Sequence, residues 1–161
     1  MKITVSCGSG VAPTVVAAYD AALCAAGIGD QNLVCLSSVI PPGSHVELAT
    51  PKFGDDEIGN RLYCVLARAD ATELEPDAWA ALAWVQDNLG RGLFAETSAT
   101  DEEAARLTAI ESLHAMTQHR PDWRWSEPQV QTNGVTFAGT HACSVVVASY
   151  ETIPWQQPPT R

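Results

Sequence analysis

Between Asn32 and Gly43 the chain runs Asn-Leu-Val-Cys-Leu-Ser-Ser-Val-Ile-Pro-Pro-Gly. The two prolines remove two backbone donors and fix two φ angles, so a strand entered at Asn32 has to leave its ladder before Pro41. Leu33 to Leu36 reads as a short buried strand, and Ser37-Ser38 as its exit into a rigid loop.

The same two serines carry a chemical reading. A hydroxyl held against the carbonyl of the preceding residue is an intramolecular nucleophile at very high effective concentration. Ser38 can attack the Ser37 carbonyl, and the ester so formed can eliminate to dehydroalanine. Hydrolysis then releases ammonia and leaves a pyruvoyl group at the head of a new chain that begins at position 38. A carbonyl cofactor would be built from the chain itself.

A chain of 161 residues, 46% hydrophobic and 17% charged, without repeats or charge runs, reads as one folded domain over 1–161. The net charge of −10, with seven Arg, two Lys and no basic stripe, argues against nucleic acid as a partner; it mildly favours cationic small molecules, although such a balance more commonly serves solubility or adaptation to salt. Met1 to Ser6 enters a strand pattern at once and lacks the features of a secretory signal, so the expected location is cytoplasmic. The most apolar stretch, Val11 to Ala26, is too short for a membrane span and contains Asp20, so no membrane association is expected. Five widely spaced cysteines, an odd number and mostly inside apolar runs, read as buried free thiols. No CxxC occurs and no His, Cys or carboxylate set has ligand spacing, so no metal is expected. His114 and His119 read as surface residues near a helix end.

The order of elements follows from periodicity and punctuation. A strand at about 2–7 runs into a Gly8-Ser9-Gly10 turn, and Pro13 stands near the start of a helix that stops before Gly27. The Gly8-Ser9-Gly10 pair of glycines lacks both a GxGxxG continuation and a Gly-Lys-Ser/Thr, which argues against a nucleotide loop. Strands are expected at about 32–37 and 61–67, joined by a Pro/Gly-rich loop. Pro76 is expected to open a helix reaching Asn88, and a strand follows at about 91–97. Thr100-Asp101-Glu102-Glu103 reads as a capping box before a helix whose apolar stripe is Ala104, Leu107, Ile110, Leu113 and Met116. Strands at about 130–139 and 142–150 close the pattern, the second continuously apolar and therefore central. The segment 151–161, with three prolines, reads as an extension that wraps a neighbour or frays. Strands interleaved with helices give a layered α/β domain.

At Ser37-Ser38 the chain resembles the pyruvoyl-dependent arginine decarboxylases, which cleave themselves between two serines in an Asn-Leu-x-x-x-Ser-Ser-x-x-Pro-Pro context. Asn32-Leu33, Ser37-Ser38 and Pro41-Pro42 fit that pattern. The resemblance extends through Tyr19-Asp20-Ala21-Ala22-Leu23, Ala26-Gly27-Ile28-Gly29 and Gly92-Leu93-Phe94-Ala95-Glu96, with a looser match over the C-terminal apolar strands.

The resemblance implies an αββα sandwich in which a β chain, 1–37, and an α chain, 38–161, stay folded together after self-cleavage. It implies conversion of L-arginine to agmatine and carbon dioxide through a Schiff base on the pyruvoyl carbonyl of Ser38, with no added cofactor or metal. Homo-oligomers are implied too, trimers or paired trimers, with the pocket between subunits. By the same route Glu96 is the acid that protonates the carbanion, and Asn32 polarises the Ser37 carbonyl. Asp20 pairs with the guanidinium, while Ser37, Leu23 and Gly29 line the substrate. Without the resemblance, Glu96 is an exposed strand-end carboxylate, Asp20 a solvent-facing charge on an apolar helix, and Asn32 a cap at a strand start. Leu23 and Gly29 are equally explained by packing and turn geometry. Gln31, where the family carries an apolar residue, and the stretch 43–47 depart from the pattern and bear on substrate identity. Two other readings stay open. One is the same chemistry on another amino acid such as histidine; the other is an uncleaved homologue that binds a cationic small molecule.

Overall fold

The computed structural model describes residues 1–155. Its elements are β1 (Lys2–Ala12), α1 (Val15–Ala25), β2 (Asn32–Cys35), β3 (Val39–Ile40), β4 (His45–Leu48), β5 (Arg61–Ala71), β6 (Asp77–Gln86), β7 (Gly92–Ala99), α2 (Glu102–Thr117), β8 (Gln129–Thr136) and β9 (His141–Ile153). They form a mixed α/β structure of two sheets and two helices, one sheet ordered β2-β5-β9-β1-β4 and the other β3-β7-β6-β8.

Alternation decides which residues fill which layer. Ile3 and Val5 of β1, Val65 and Ala67 of β5, and Val146 and Ala148 of β9 meet Leu82, Trp84 and Phe94 of the other sheet in one core. The opposite faces carry the helices: Ala18, Ala22 and Leu23 of α1 on Cys143, Val145 and Val147, and Ala105, Ala109 and Leu113 of α2 on Ala81, Ala83 and Ala95. The order across the molecule is helix, sheet, sheet, helix. Strand β9 is antiparallel to both β1 and β5, and its run Val145–Ala148 is wholly buried, as a continuously apolar central strand should be.

Gly8 and Gly10 form no turn, because β1 continues to Ala12. A Cβ at Gly10 would stand 2.3 Å from the Ala18 carbonyl oxygen and 2.4 Å from the Ala22 nitrogen, so the glycines let α1 lie directly on the strand. Helix α1 starts one residue after its N-cap, Thr14, whose hydroxyl accepts from the Ala17 N–H.

Asp77–Gln86 is a strand, not the helix expected from Pro76. Its four alanines have high helix propensity, but both faces of β6 are covered, by the inner core and by α2, and the small side chains allow that double contact. Helix α2 is capped by Asp101, which accepts from the Ala104 N–H, so the cap sits one residue later than the expected box start. Its buried face is Ala105, Ala109 and Leu113, whereas Leu107 of the expected stripe is 44% exposed. Close approach through alanines, rather than the larger side chains, sets the rotation of this helix. The expected loop after β2 contains β3, β4 and a 3-10 turn at Asp55–Glu57.

Strand β2 is an edge strand with no fully buried residue, contrary to the buried strand expected. Cys64 and Cys143 are buried and Cys7 partly so, but Cys24 and Cys35 are exposed because α1 and β2 turn those positions outward. Residues 151–153 belong to β9, paired with Arg61 and Leu62, rather than to a free extension, and 156–161 lie outside the described residues. No helix among the described residues is long and apolar enough to cross a membrane.

Candidate active site

Ser37 and Ser38 occupy the place where the chain leaves one sheet for the other. The Leu36 N–H still donates to the Cys64 carbonyl of β5 at 2.8 Å, while the Ser38 carbonyl already accepts from the Phe94 N–H of β7 at 2.8 Å. The crossing is made within two residues. Ser38 takes φ 65°, the left-handed region, and is the only non-glycine among the described residues to do so. That conformation costs about 1–3 kcal/mol for a residue with a side chain and persists only where neighbouring contacts over-determine it.

Those contacts converge from both sheets. Ser38 is 6% exposed, and its hydroxyl donates to the Glu96 carboxylate, 2.9 Å from Oε2 and 3.1 Å from Oε1. Glu96 lies two residues after Phe94 on β7, so alternation aims it toward the same inner side of the sheet, at the free edge where it stays open to solvent. The Tyr150 hydroxyl of β9 donates to the Val39 carbonyl at 3.0 Å, and its ring meets Phe94 edge-on at a centroid separation of 6.3 Å. Burial raises the Tyr150 phenol above its ordinary range, and the charge of Glu96 adds to the rise.

Beside this point both sheets have open edges. Strand β2 pairs with β5 only as far as Cys35–Cys64, and β3 pairs with β7 only at Val39–Leu93 and Ile40–Gly92. Beyond those pairs the edges of β5 and β7 run side by side. The groove between them is lined by Leu66, Ala67, Arg68, Glu96, Thr97 and Ser98. Of these, Arg68 is held by both Asp70 carboxylate oxygens and lies 4.2 Å over the Tyr19 ring.

Of the residues singled out from sequence, one chain thus brings together Ser37, Ser38 and Glu96. Asn32 begins β2, four residues before its last ladder contact, and its side-chain amide donates to the Gly59 carbonyl instead of reaching Ser37. Asp20 is exposed on α1 and makes no ion pair among the described residues. Leu23 is buried against the sheet. Gly29 lines a hollow with Asp30, Gln31 and Phe53, and a Cβ there would stand 2.3 Å from Cys24 Sγ. Tyr150 is not among those residues; it follows Ser149 within β9, and nothing local in the sequence marks its distant partner.

The arrangement suits self-acylation. A strained, nearly desolvated serine has its hydroxyl proton directed onto a carboxylate, which is what a nucleophile and its base require. A carbonyl group formed at position 38 would have the Glu96 carboxyl beside it, so the surroundings fit a pyruvoyl group made there.

The chain is also similar to known proteins in sequence. A family model described as pyruvoyl-dependent arginine decarboxylase matches residues 2–153. The pyruvoyl-dependent arginine decarboxylase of Halobacterium salinarum is 40% identical over 153 residues, covering 92% of this chain and 93% of its own. The Methanopyrus kandleri enzyme of the same name is 36% identical over 120 residues, 74% of this chain and 75% of its own. That of Methanothermobacter thermautotrophicus is 32% identical over 118 residues, 72% and 75% respectively. With the match running through both sheets and the serine crossing between them, the chain belongs to the pyruvoyl-dependent arginine decarboxylase family.

Proposed function

We propose that this protein converts L-arginine to agmatine and carbon dioxide, using a pyruvoyl group generated from Ser38 by cleavage of the Ser37–Ser38 bond. The observation that carries this reading is the left-handed Ser38 whose hydroxyl donates to Glu96. The names borne by its relatives support arginine as the substrate.

In the cleavage, a bond forms from Ser38 Oγ to the Ser37 carbonyl carbon and the amide C–N bond breaks. The hydroxyl proton passes to Glu96 and on to the freed nitrogen. Loss of the Ser38 Cα proton together with the Cβ–O bond releases Ser37 as a carboxylate and leaves dehydroalanine. Its imine tautomer takes up one water and expels ammonia. The product is an αββα sandwich of two chains, 1–37 and 38–161.

The pyruvoyl carbonyl supplies the electrophile for the substrate amine and the sink for the electrons left by carbon dioxide. This chain's residues do the rest. Glu96 returns a proton to carbon. Asp20 takes the guanidinium, for which a carboxylate is the fitting partner. Asn32, Leu23 and Gly29 shape the approach around it, and the new Ser37 carboxylate adds negative charge. Assembly as a trimer or paired trimers has a physical motive, since the open edges of β5 and β7 flank Glu96 and unpaired edges seek cover. A pocket between protomers would let one chain's α1 meet another's Ser38.

Asp20→Asn tests the substrate. Self-cleavage should proceed as in the wild type, while the KM for arginine rises, by about 10–100-fold for one lost charged hydrogen-bond partner. An unchanged KM for arginine would sink the arginine assignment while leaving cleavage standing.

A further inference from the structure

We propose that Tyr150 is a positioning residue for the self-cleavage, clamping the backbone just beyond Ser38 so that the serine stays in its reactive left-handed conformation. The inference rests on the cleavage proposed above and adds a residue to it.

A left-handed φ relaxes by rotating the peptide on one side of the residue against the other. On the N-terminal side of Ser38, Leu36 is fixed by its hydrogen bond to the Cys64 carbonyl. On the C-terminal side two successive carbonyls are held: that of Ser38 by the Phe94 N–H, and that of Val39 by the Tyr150 hydroxyl. The Phe94 donor belongs to the backbone, so Tyr150 is the side chain that closes the clamp. It is well suited to do so. It projects from β9, the centre of one sheet, to β3, the edge of the other, and its ring is braced edge-on against Phe94. Its raised pKa keeps the phenol a donor throughout the neutral range.

The clamp has a limited life. When the Ser37 C–Ser38 N bond breaks, with Oγ taking the acyl group and the nitrogen taking the proton, the φ torsion no longer links two parts of one chain. Tyr150 should therefore govern the rate of maturation and not the rate of turnover.

The experiment follows freshly purified full-length Tyr150→Phe by intact mass under denaturing conditions, beside the wild type. The ring and its packing on Phe94 remain, and only the donor is lost. Cleavage should slow roughly tenfold, the effect of one hydrogen bond on a barrier. Fully matured Y150F should release carbon dioxide from arginine at the wild-type kcat per pyruvoyl group. Placing 4-aminophenylalanine at position 150, which restores a donor on the same ring, should return the cleavage rate. Cleavage at the wild-type rate, a fall in kcat per pyruvoyl, a failure of the amino analogue to rescue, or a Y150F chain that does not fold would each overturn the assignment. A wild-type chain that stays whole would overturn the cleavage reading itself, and this inference with it.

Discussion

Glu96→Gln separates the two things asked of that carboxylate. In the intact chain both its oxygens receive the Ser38 hydroxyl, at 2.9 and 3.1 Å. Glutamine keeps the length and one carbonyl acceptor but cannot take the proton. If Glu96 merely held the hydroxyl, the change would exchange a hydrogen bond to a charged group for a neutral one, about 1 kcal/mol or roughly fivefold in rate. Because Glu96 is open to solvent, this positioning share belongs at the low end. If it accepts the proton, about 10²–10⁴ in rate is lost as well. The prediction is that self-cleavage, followed by intact mass, slows at least 100-fold. Carbon dioxide release per mature pyruvoyl chain should fall by a factor of about 10²–10⁴, since the same group returns a proton to carbon. A Glu96→Gln chain that matures within fivefold of the wild type would confine Glu96 to holding the serine. One that also turned over at the wild-type rate would refute its chemical role altogether.

Two further outcomes follow from the scaffold. Gly10→Ala drives a Cβ into the backbone of α1, 2.3 Å from the Ala18 oxygen, and should cost about 1–3 kcal/mol, a fall of roughly 2–12 °C in Tm for a chain of this size; an unchanged thermal unfolding curve would show that α1 does not lie on β1 as described. Asp87 sits in the β6–β7 turn, where burial of its carboxyl is outweighed by hydrogen bonds from the Arg91 guanidinium and the Leu89 and Arg91 N–H groups, holding it below the usual carboxylate range. Because the folded pKa is the lower one, its contribution to stability is complete above the unfolded value of about 3.9 and is lost as pH falls through the folded value. Asp87→Asn should lower stability at neutral pH and narrow the gap to the wild type in acid; a gap that stays constant down to acid pH would contradict the coupling.

What the sequence made legible was chemistry rather than rotation. Ser37-Ser38 before Pro41-Pro42 pointed to a place where a strand must stop, and the structure makes that place the crossing between sheets. Glu96, named through the resemblance, stands against Ser38. Val145–Ala148 announced a central strand by being apolar at every position. The failures share a cause in alanine. Ala78 to Ala83 carries no periodicity that separates a doubly covered strand from a helix, and α2 packs by Ala105 and Ala109 where larger residues drew the expected stripe. Tyr150 was hidden because its partner is a carbonyl 111 residues away in the chain, a relation no local pattern records. Asn32 was expected beside Ser37, yet in one chain its amide is engaged with Gly59.

Whether the strained Ser38 converts itself into the cofactor is read from the intact mass of the purified protein under denaturing conditions. Two chains are expected, one ending at Ser37 and the other spanning 38–161 with a pyruvoyl group in place of its first residue, and a Ser38→Ala variant should remain whole. A single wild-type chain of 17.2 kDa that persists on prolonged incubation would contradict that conversion.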